Sequence, residues 1–588
     1  MIKLIKQMNK KDWLLVIASV FLIVFQVWLD LKMPDYMSKI TVLVETEGSE
    51  MSEILKNGGY MLLCALGSLA AAAFTGYLTS IISSDFSMTI RDKIYDKVLN
   101  LSMNEIKEFS TSSLITRTTN DVTQIEMLIS MGLQLLIKAP ITAIWAITKI
   151  LNKSWQWSAV TAVAVVILLS VIGILVSIVV PRFKIVQKLT DKINGLTREN
   201  LTGIRVVRAF NAEKYQEEKF DKTNEDLTNQ QLFNQKKFAI MQPLMYFVMN
   251  TLTLAIYFIG AYLIKDAEIA TKLTLFSDMV VFSSYAMQVI MSFLMLAMIF
   301  MMIPRAQVSA NRINEVLDKE ISVKEENLKN IKTKEKGTVE FKNVSFKYPD
   351  ADEYLLENIS FKANKGDTVA IIGSTGSGKS TLINLVPRFY DVTDGEILVD
   401  GINVKDYAED DLNNKISYIP QKAVIFNGDV KSNIAYGDNG KGKITDTKIL
   451  EAAKVAQADE FIENMDDKYD SHISSGGTNI SGGQKQRLAI ARAIARDPEI
   501  YIFDDSFSAL DYKTDSVLRK ELKKYTKDAT SLIVAQRVGT IMNADKIIVL
   551  DNGKAVGEGT HKELLKNCEV YRQIALSQLS EKELGVEK

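Results

Sequence analysis

The sequence predicts an all-α half of six long helices followed by an α/β half, on three observations. Six apolar runs fall within the first 303 residues, each long enough to cross a hydrocarbon core of roughly 30 Å. The stretch Asp367–Thr381, DTVAIIGSTGSGKST, sets a short apolar strand before a glycine-rich loop and a helix, TLINLVPRFY, after it. Thr338–Tyr348 alternates like strands, and further short runs through the second half read as strands: Leu398–Gly401, Ile416–Ile419, Ile500–Phe503 and Ile533–Ala535.

A chain of 588 residues is too long for one core. Its 47% apolar and 24% charged residues average over a first half with long uncharged runs and a second that reads as soluble. The formal net charge of −1 gives no global electrostatic support for a nucleic-acid partner, and none is expected. Cys64 and Cys568 are far apart, so neither a disulfide framework nor a thiolate metal site is implied. His472 and His561 lack companion ligands and read as surface or loop residues.

Residues 2–11 are basic and lightly amphipathic, fitting either a helix on the inner membrane surface or a disordered basic start. Trp13–Leu31 lacks a short apolar centre and a small-residue cleavage site, so it reads as a retained membrane helix and not a secretory signal. Five spans follow at about 56–83, 127–150, 157–181, 238–265 and 273–303. Lys3, Lys6, Lys10 and Lys11 favour a cytoplasmic start, and Glu45, Glu47, Glu50 and Glu53 fall outside. The long connections at about 84–126 and 182–237 then lie inside, where Arg91, Lys93, Arg117, Arg182 and Arg205 suit them. Ile90–Leu101, Val122–Ile129 and Lys184–Leu201 keep helical spacing, so membrane helices should continue well past the bilayer. Lys138, inside an apolar run, should snorkel, face the interior, or serve as a functional cation. Met279, Met287, Met291, Met295, Met298, Met301 and Met302 make the sixth span adaptable, either for packing or as a pliable lining for varied apolar substrates. Residues 1–303 thus form a membrane domain, 304–336 a polar linker with one amphipathic helix (Ala306–Leu317), and 337–588 a second domain.

The loop Gly373, Ser374, Thr375, Gly376, Ser377, Gly378, Lys379, Ser380, Thr381 carries the chemistry. Gly373, Gly378, Lys379 and Ser380 fit G-x-x-x-x-G-K-[ST], in which backbone N–H groups curl around a polyphosphate. Lys379 supplies a charge for the β/γ-phosphates and Ser380 a hydroxyl for Mg²⁺, and the following helix turns its positive end to the same phosphates. Tyr348 ends a strand and can stack on a purine ring; Gln421 follows another strand end. Ser481-Gly482-Gly483-Gln484 opens a helix and makes a second anion site. Asp504-Asp505 end a buried strand, where a carboxylate would hold Mg²⁺. Gln536 ends another.

In this order GSTGSGKST, Gln421, ISGGQKQR, IYIFDD, SALD (Ser508 to Asp511) and the strand ending at Gln536 resemble the ATP-binding cassette (ABC) family. Six spans before one cassette resemble a half-transporter of the ABC exporter class, and Ser112–Ile125 and Glu199–Glu213 look like that class's two intracellular loops. The resemblance implies an all-α six-helix transmembrane domain followed by an α/β P-loop nucleotide-binding domain. It further implies ATP and Mg²⁺ as ligands, adenine stacked on Tyr348, Mg²⁺ at Ser380, Gln421 and Asp504, Ser481–Gln484 closing over an ATP held by the other half of a dimer, and Asp511 at the dimer seam. Two positions depart from the family pattern. Where the family usually has a general-base Glu stands Asp505, one methylene shorter, and where it usually has His stands Gln536, which cannot become cationic near neutral pH. Misplacing a carboxylate by roughly 1 Å costs on the order of 100-fold. Together with an intact Ser481–Gln484 this implies a slow site here and a heterodimer with a second half-transporter carrying Glu and His. A slow homodimer and a nucleotide-gated regulator or channel are the alternatives. The resemblance places the chain in the cytoplasmic cell membrane of a bacterium, cassette and both termini inside, exporting drug-type (multidrug) or lipid-type amphipathic small molecules.

Overall fold

The computed structural model describes residues 1–46, 48–151, 153–323, 333, 335–437, 440–581 and 584. Glu47 of the acidic loop, 324–332 and 334 of the predicted linker, and 582, 583 and 585–588 at the end of the second predicted domain lie outside the described residues. The chain divides into two units, residues 1–99 with 111–319 and residues 100–110 with 320–588.

Six helices among the described residues of the first unit are long and apolar enough to cross a membrane. They are α1 (Lys10–Glu45), α2 (Met51–Leu99), α3 (Thr111–Leu151), α4 (Trp155–Thr202), α5 (Glu213–Asp266) and α6 (Ile269–Leu317). At 1.5 Å per residue, the 49 residues of α2 run roughly 73 Å, far beyond a core of roughly 30 Å. Most of Ile90–Leu101, and all of Val122–Ile129 and Lys184–Leu201, are accordingly parts of α2, α3 and α4. The predicted boundary at Pro304 is corrected: α6 runs through it, and Ala306–Leu317 is its end, not a separate linker helix. A proline removes one ladder bond, and the buried stripe Ala306, Ala310, Ile313 and Val316 holds the helix beyond it.

The bundle core joins Ile23, Val27 and Leu31 of α1, Ala146 and Ile150 of α3, Trp157 and Leu168 of α4, Leu252 and Ile256 of α5, and Phe282 and Tyr285 of α6. Gly260 allows α5 to approach α6, since a Cβ there would stand 2.3 Å from Met279 Sδ. Met279 is buried, whereas Met291 and Met298 are exposed, so core packing accounts for only part of the methionine-rich helix. Lys138 turns to α1, where its ammonium lies 3.3 Å from Asp30. Asp35 accepts from Lys149 Nζ (2.7 Å) and Tyr285 Oη (2.6 Å), and Lys153 pairs with Asp278. At the other end of α3, a π-helical turn (Arg117–Asp121) meets α6: Ser309 Oγ donates to Asp121 (2.8 Å), and Arg117 pairs with Glu315 (2.7 Å).

In the second unit an antiparallel sheet runs β2-β1-β4-β5 (Leu356–Ala363, Val339–Phe346, Asp394–Val399, Ile402–Asn403), and a two-stranded ribbon pairs β7 with β8 (Gly428–Asp429, His472–Ile473). A six-stranded sheet runs β12-β11-β3-β10-β9-β6 (Lys554–Gly559, Lys546–Asp551, Thr368–Gly373, Thr530–Val534, Ile500–Asp504, Ile416–Ile419), parallel except for β12. Side chains alternate across it. Val369, Ile371, Ile500, Ile502, Leu532 and Val534 enter one core, and Ala370, Ile372, Tyr501, Phe503 and Ile533 the other. The register pairs Val534 with Ile371 and with Asp504, and Ile419 with Phe503. The carboxyl ends of β3, β6, β9 and β10 therefore line one edge, where open α/β sheets bind ligands. The helix after the loop, Lys379–Asn384, is shorter than expected, because Pro387 disfavours helical backbone ahead of it. His561 is also corrected: it is 7% exposed, with Nδ1 2.7 Å from Tyr571 Oη, because the C-terminal helix Glu569–Leu576 covers it.

Candidate nucleotide site

The loop Gly373–Ser380 joins the end of β3 to the helix at Lys379. A Cβ on Gly373 would stand 2.1 Å from Leu550 O of the neighbouring strand β11. Gly378 has φ +93°, and a Cβ there would stand 2.5 Å from Leu356 Cδ2. These two glycines permit a backbone path that other residues would block. Lys379 Nζ arches over the loop, donating to Gly373 O (3.0 Å) and Ser374 O (2.7 Å). Burial pulls the Lys379 ammonium below its ordinary value, against the pull of Asp505 and Asp504. Among the described residues, Ser377 Oγ is buried in the loop without a hydrogen-bond partner.

Ser380 Oγ donates to Asp504 Oδ1 at 2.7 Å, and Tyr418 Oη donates to Asp504 Oδ2 at 3.2 Å. Among the described residues no group of three or more His, Cys, Asp or Glu could hold a metal ion. A hydroxyl beside a carboxylate is a hard-oxygen pair that fits Mg²⁺, which is bound through one or two carboxylates and completes its shell with neutral oxygens, water and phosphate.

Asp505 lies one residue past β9, with φ +47° and its N–H donating to Val534 O (3.0 Å). Its Oδ2 accepts from two amides, Gln536 Nε2 at 2.8 Å and Gln421 Nε2 at 3.2 Å. Burial is the main cause raising the Asp505 carboxyl above its ordinary value; the Gln421 bond opposes it and Asp504 adds to it. Ser506 Oγ ties this segment to β6 by donating to Ile419 O (2.9 Å). Three residues at the ends of three strands thus meet on one carboxylate oxygen. Tyr348 reaches the same region, its Oη 3.1 Å from Thr381 Oγ1.

Ser481–Gln484 stands apart. Ser481 Oγ accepts from the Gln484 N–H (3.3 Å) and Gln484 Oε1 accepts from the Ser481 N–H (2.8 Å), a reciprocal cap on the helix Gly482–Arg496. Ser481 and Gly482 are exposed. Among the described residues, none of the hydrogen bonds of Ser481 or Gln484 reaches the phosphate loop. Asp511 likewise caps its own helix, Tyr512–Tyr525, through the Thr514 N–H (2.9 Å). Sequence reasoning missed Tyr418, whose signal was a polar aromatic on the strand leading into Gln421.

The chain matches the family descriptions ABC transporter transmembrane region over residues 14–293 and ABC transporter over residues 356–508. It is 38% identical over 521 residues to an uncharacterized ABC transporter ATP-binding protein of Mycobacterium tuberculosis, covering 88% of this chain and 87% of that one. It is 33% identical over 496 residues to an ATP-dependent lipid A-core flippase of Pseudomonas aeruginosa, covering 84% and 80%. Its fold is similar to that of a bacterial Atm1-family ABC exporter with ATP bound, at TM-score 0.80 and 22% identity, covering 95% and 98%.

Proposed function

The chain belongs to the ABC transporter family, and we propose that it is the slow-site half of a heterodimeric exporter of amphipathic small molecules. It is a multi-pass membrane protein with an ATPase domain coupled to transport. The observation that carries the finer reading is the Gln421–Asp505–Gln536 network. In it one oxygen of a short carboxylate accepts from two neutral amides, and the position where the family usually has His offers no positive charge to a γ-phosphate. In this reading Lys379 and the loop N–H groups bind the triphosphate, and Tyr348 stacks on adenine. Ser380, Gln421 and Asp504 would hold Mg²⁺, which would draw charge from the phosphate oxygens. Asp505 and Gln536 support binding far better than turnover.

The exposed Ser481–Gln484 helix start completes the partner's site, with Asp511 at the seam. The short helix Ile204–Ala209 supports a two-chain assembly, since Val206 and Phe210 at its tip are 61% and 78% exposed. The cassette carries its own exposed apolar patch, Val424, Phe426 and Tyr436, suited to receive such a tip from a partner. Likeness to lipid A-core flippases and the ion pairs inside the bundle support an amphipathic cargo. The basic N-terminus supports an inward-facing cassette and inward termini.

The test is to tag this chain, purify it from its native membrane in mild detergent and identify what accompanies it. A second six-span cassette chain in equal amount, with Glu and His at the two changed positions, is expected. Recovery of this chain alone with full ATPase turnover would overturn the slow-site reading and leave a homodimer.

A further inference from the structure

Lys107 lies on the short helix Met103–Glu108, which stands between α2 and α3 in sequence yet folds with the cassette unit. The start of that helix is held there by Ser102 Oγ, 2.8 Å from Ser322 Oγ, and the Ser102 N–H caps the helix itself by donating to Glu105 Oε2 (3.0 Å). From it the Lys107 ammonium extends over the Tyr348 ring, 4.3 Å from the centroid, and 5.1 Å from the Tyr390 centroid.

The three neighbouring aromatic rings are not equivalent. Phe346 and Tyr390 are buried at 2% and 5% exposure and meet Tyr348 edge to face, at 5.0 and 5.5 Å. Tyr348 is only half-buried, and Lys107 itself is exposed. The Lys107 side chain is exposed where it lies over the ring, so the face it covers is open to solvent and to a flat base. A cation over an aromatic face and a base stacked on that face use the same π surface, so one excludes the other.

We propose that Lys107 occupies the base-stacking face of Tyr348 and that adenine must displace it to bind. The inference rests on the reading of Tyr348 as the adenine platform. Lys107 is then a built-in competitor that lowers this site's affinity for ATP without touching the phosphates.

The experiment measures equilibrium binding of ATP and of inorganic tripolyphosphate, with Mg²⁺, to the full chain in detergent. Removing a cation–π contact at an exposed site should tighten ATP binding about 2- to 5-fold in Lys107→Ala, while Lys107→Arg, which keeps the cation, stays at the wild-type value. Tripolyphosphate has no base, so Lys107→Ala should not tighten it. In a Tyr348→Leu background the gain for ATP should vanish, an outcome that a merely structural role for Lys107 would not produce. ATP binding that is unchanged or weaker in Lys107→Ala, or tripolyphosphate that tightens equally, overturns the proposal while the nucleotide site stands. A wild-type chain that binds no ATP would overturn the site assignment itself.

Discussion

Gln536 donates its side-chain amide to Asp505 Oδ2 at 2.8 Å, on the same oxygen that receives Gln421 at 3.2 Å. An amide donor occupies that oxygen and, unlike an imidazolium, carries no charge to share with a γ-phosphate. Restoring both family residues should therefore act where restoring one does not. Asp505→Glu with Gln536→His is expected to raise hydrolysis at this site by up to about 100-fold, the scale set by a misplacement of roughly 1 Å. Single-turnover hydrolysis in the assembled complex checks it, and each single change should recover much less.

The two nucleotide elements of this chain should fail differently. Lys379→Ala disables the loop that serves the slow site, so steady-state ATPase of the complex should fall by no more than about twofold. Gly482→Asp puts a side chain and a negative charge at the exposed helix start that serves the partner's site. It should lower turnover by at least about 100-fold, as loss of a charge-stabilising donor does. Equal losses from the two variants would point to two equivalent sites.

His561 gives the cassette a pH dependence. Burial lowers its folded pKa, aided by Lys562, so the folded state favours the neutral ring. Its contribution is fully present above the ordinary 6.5 and is lost as pH falls through the lowered folded value. Thermal unfolding of the full chain should show Tm falling below about pH 6.5, and His561→Phe should flatten that slope.

The bundle charges should behave as a coupled pair. Lys149→Met leaves Asp35 with Tyr285 and, at 3.9 Å, Lys32. Double-mutant cycles on polar contacts inside membrane proteins give about 0.6 kcal/mol on average and up to about 1.7. Lys149→Met with Asp35→Asn should therefore be less destabilised than the sum of the single changes, by about 1 kcal/mol, read from thermal denaturation in detergent.

Much of this protein was legible in the linear chain because its signals are local. An apolar run long enough to span hydrocarbon announces a membrane helix wherever it sits, and GSTGSGKST shapes its own turn through two glycines whose missing Cβ atoms clear the path. The identities of Asp505 and Gln536 were equally plain. Tertiary structure decided which groups meet. Strand register set Gln421, Asp505 and Gln536 on one oxygen though they are 84 and 31 residues apart. Helix packing gave Lys138 the partner Asp30, carried α6 past Pro304 and buried His561. Chain return placed Lys107 over Tyr348. Periodicity and motifs report what each residue does with its near neighbours; hydrogen bonds, ion pairs and ring contacts across hundreds of residues depend on how sheets and helices pack, and no local pattern encodes them.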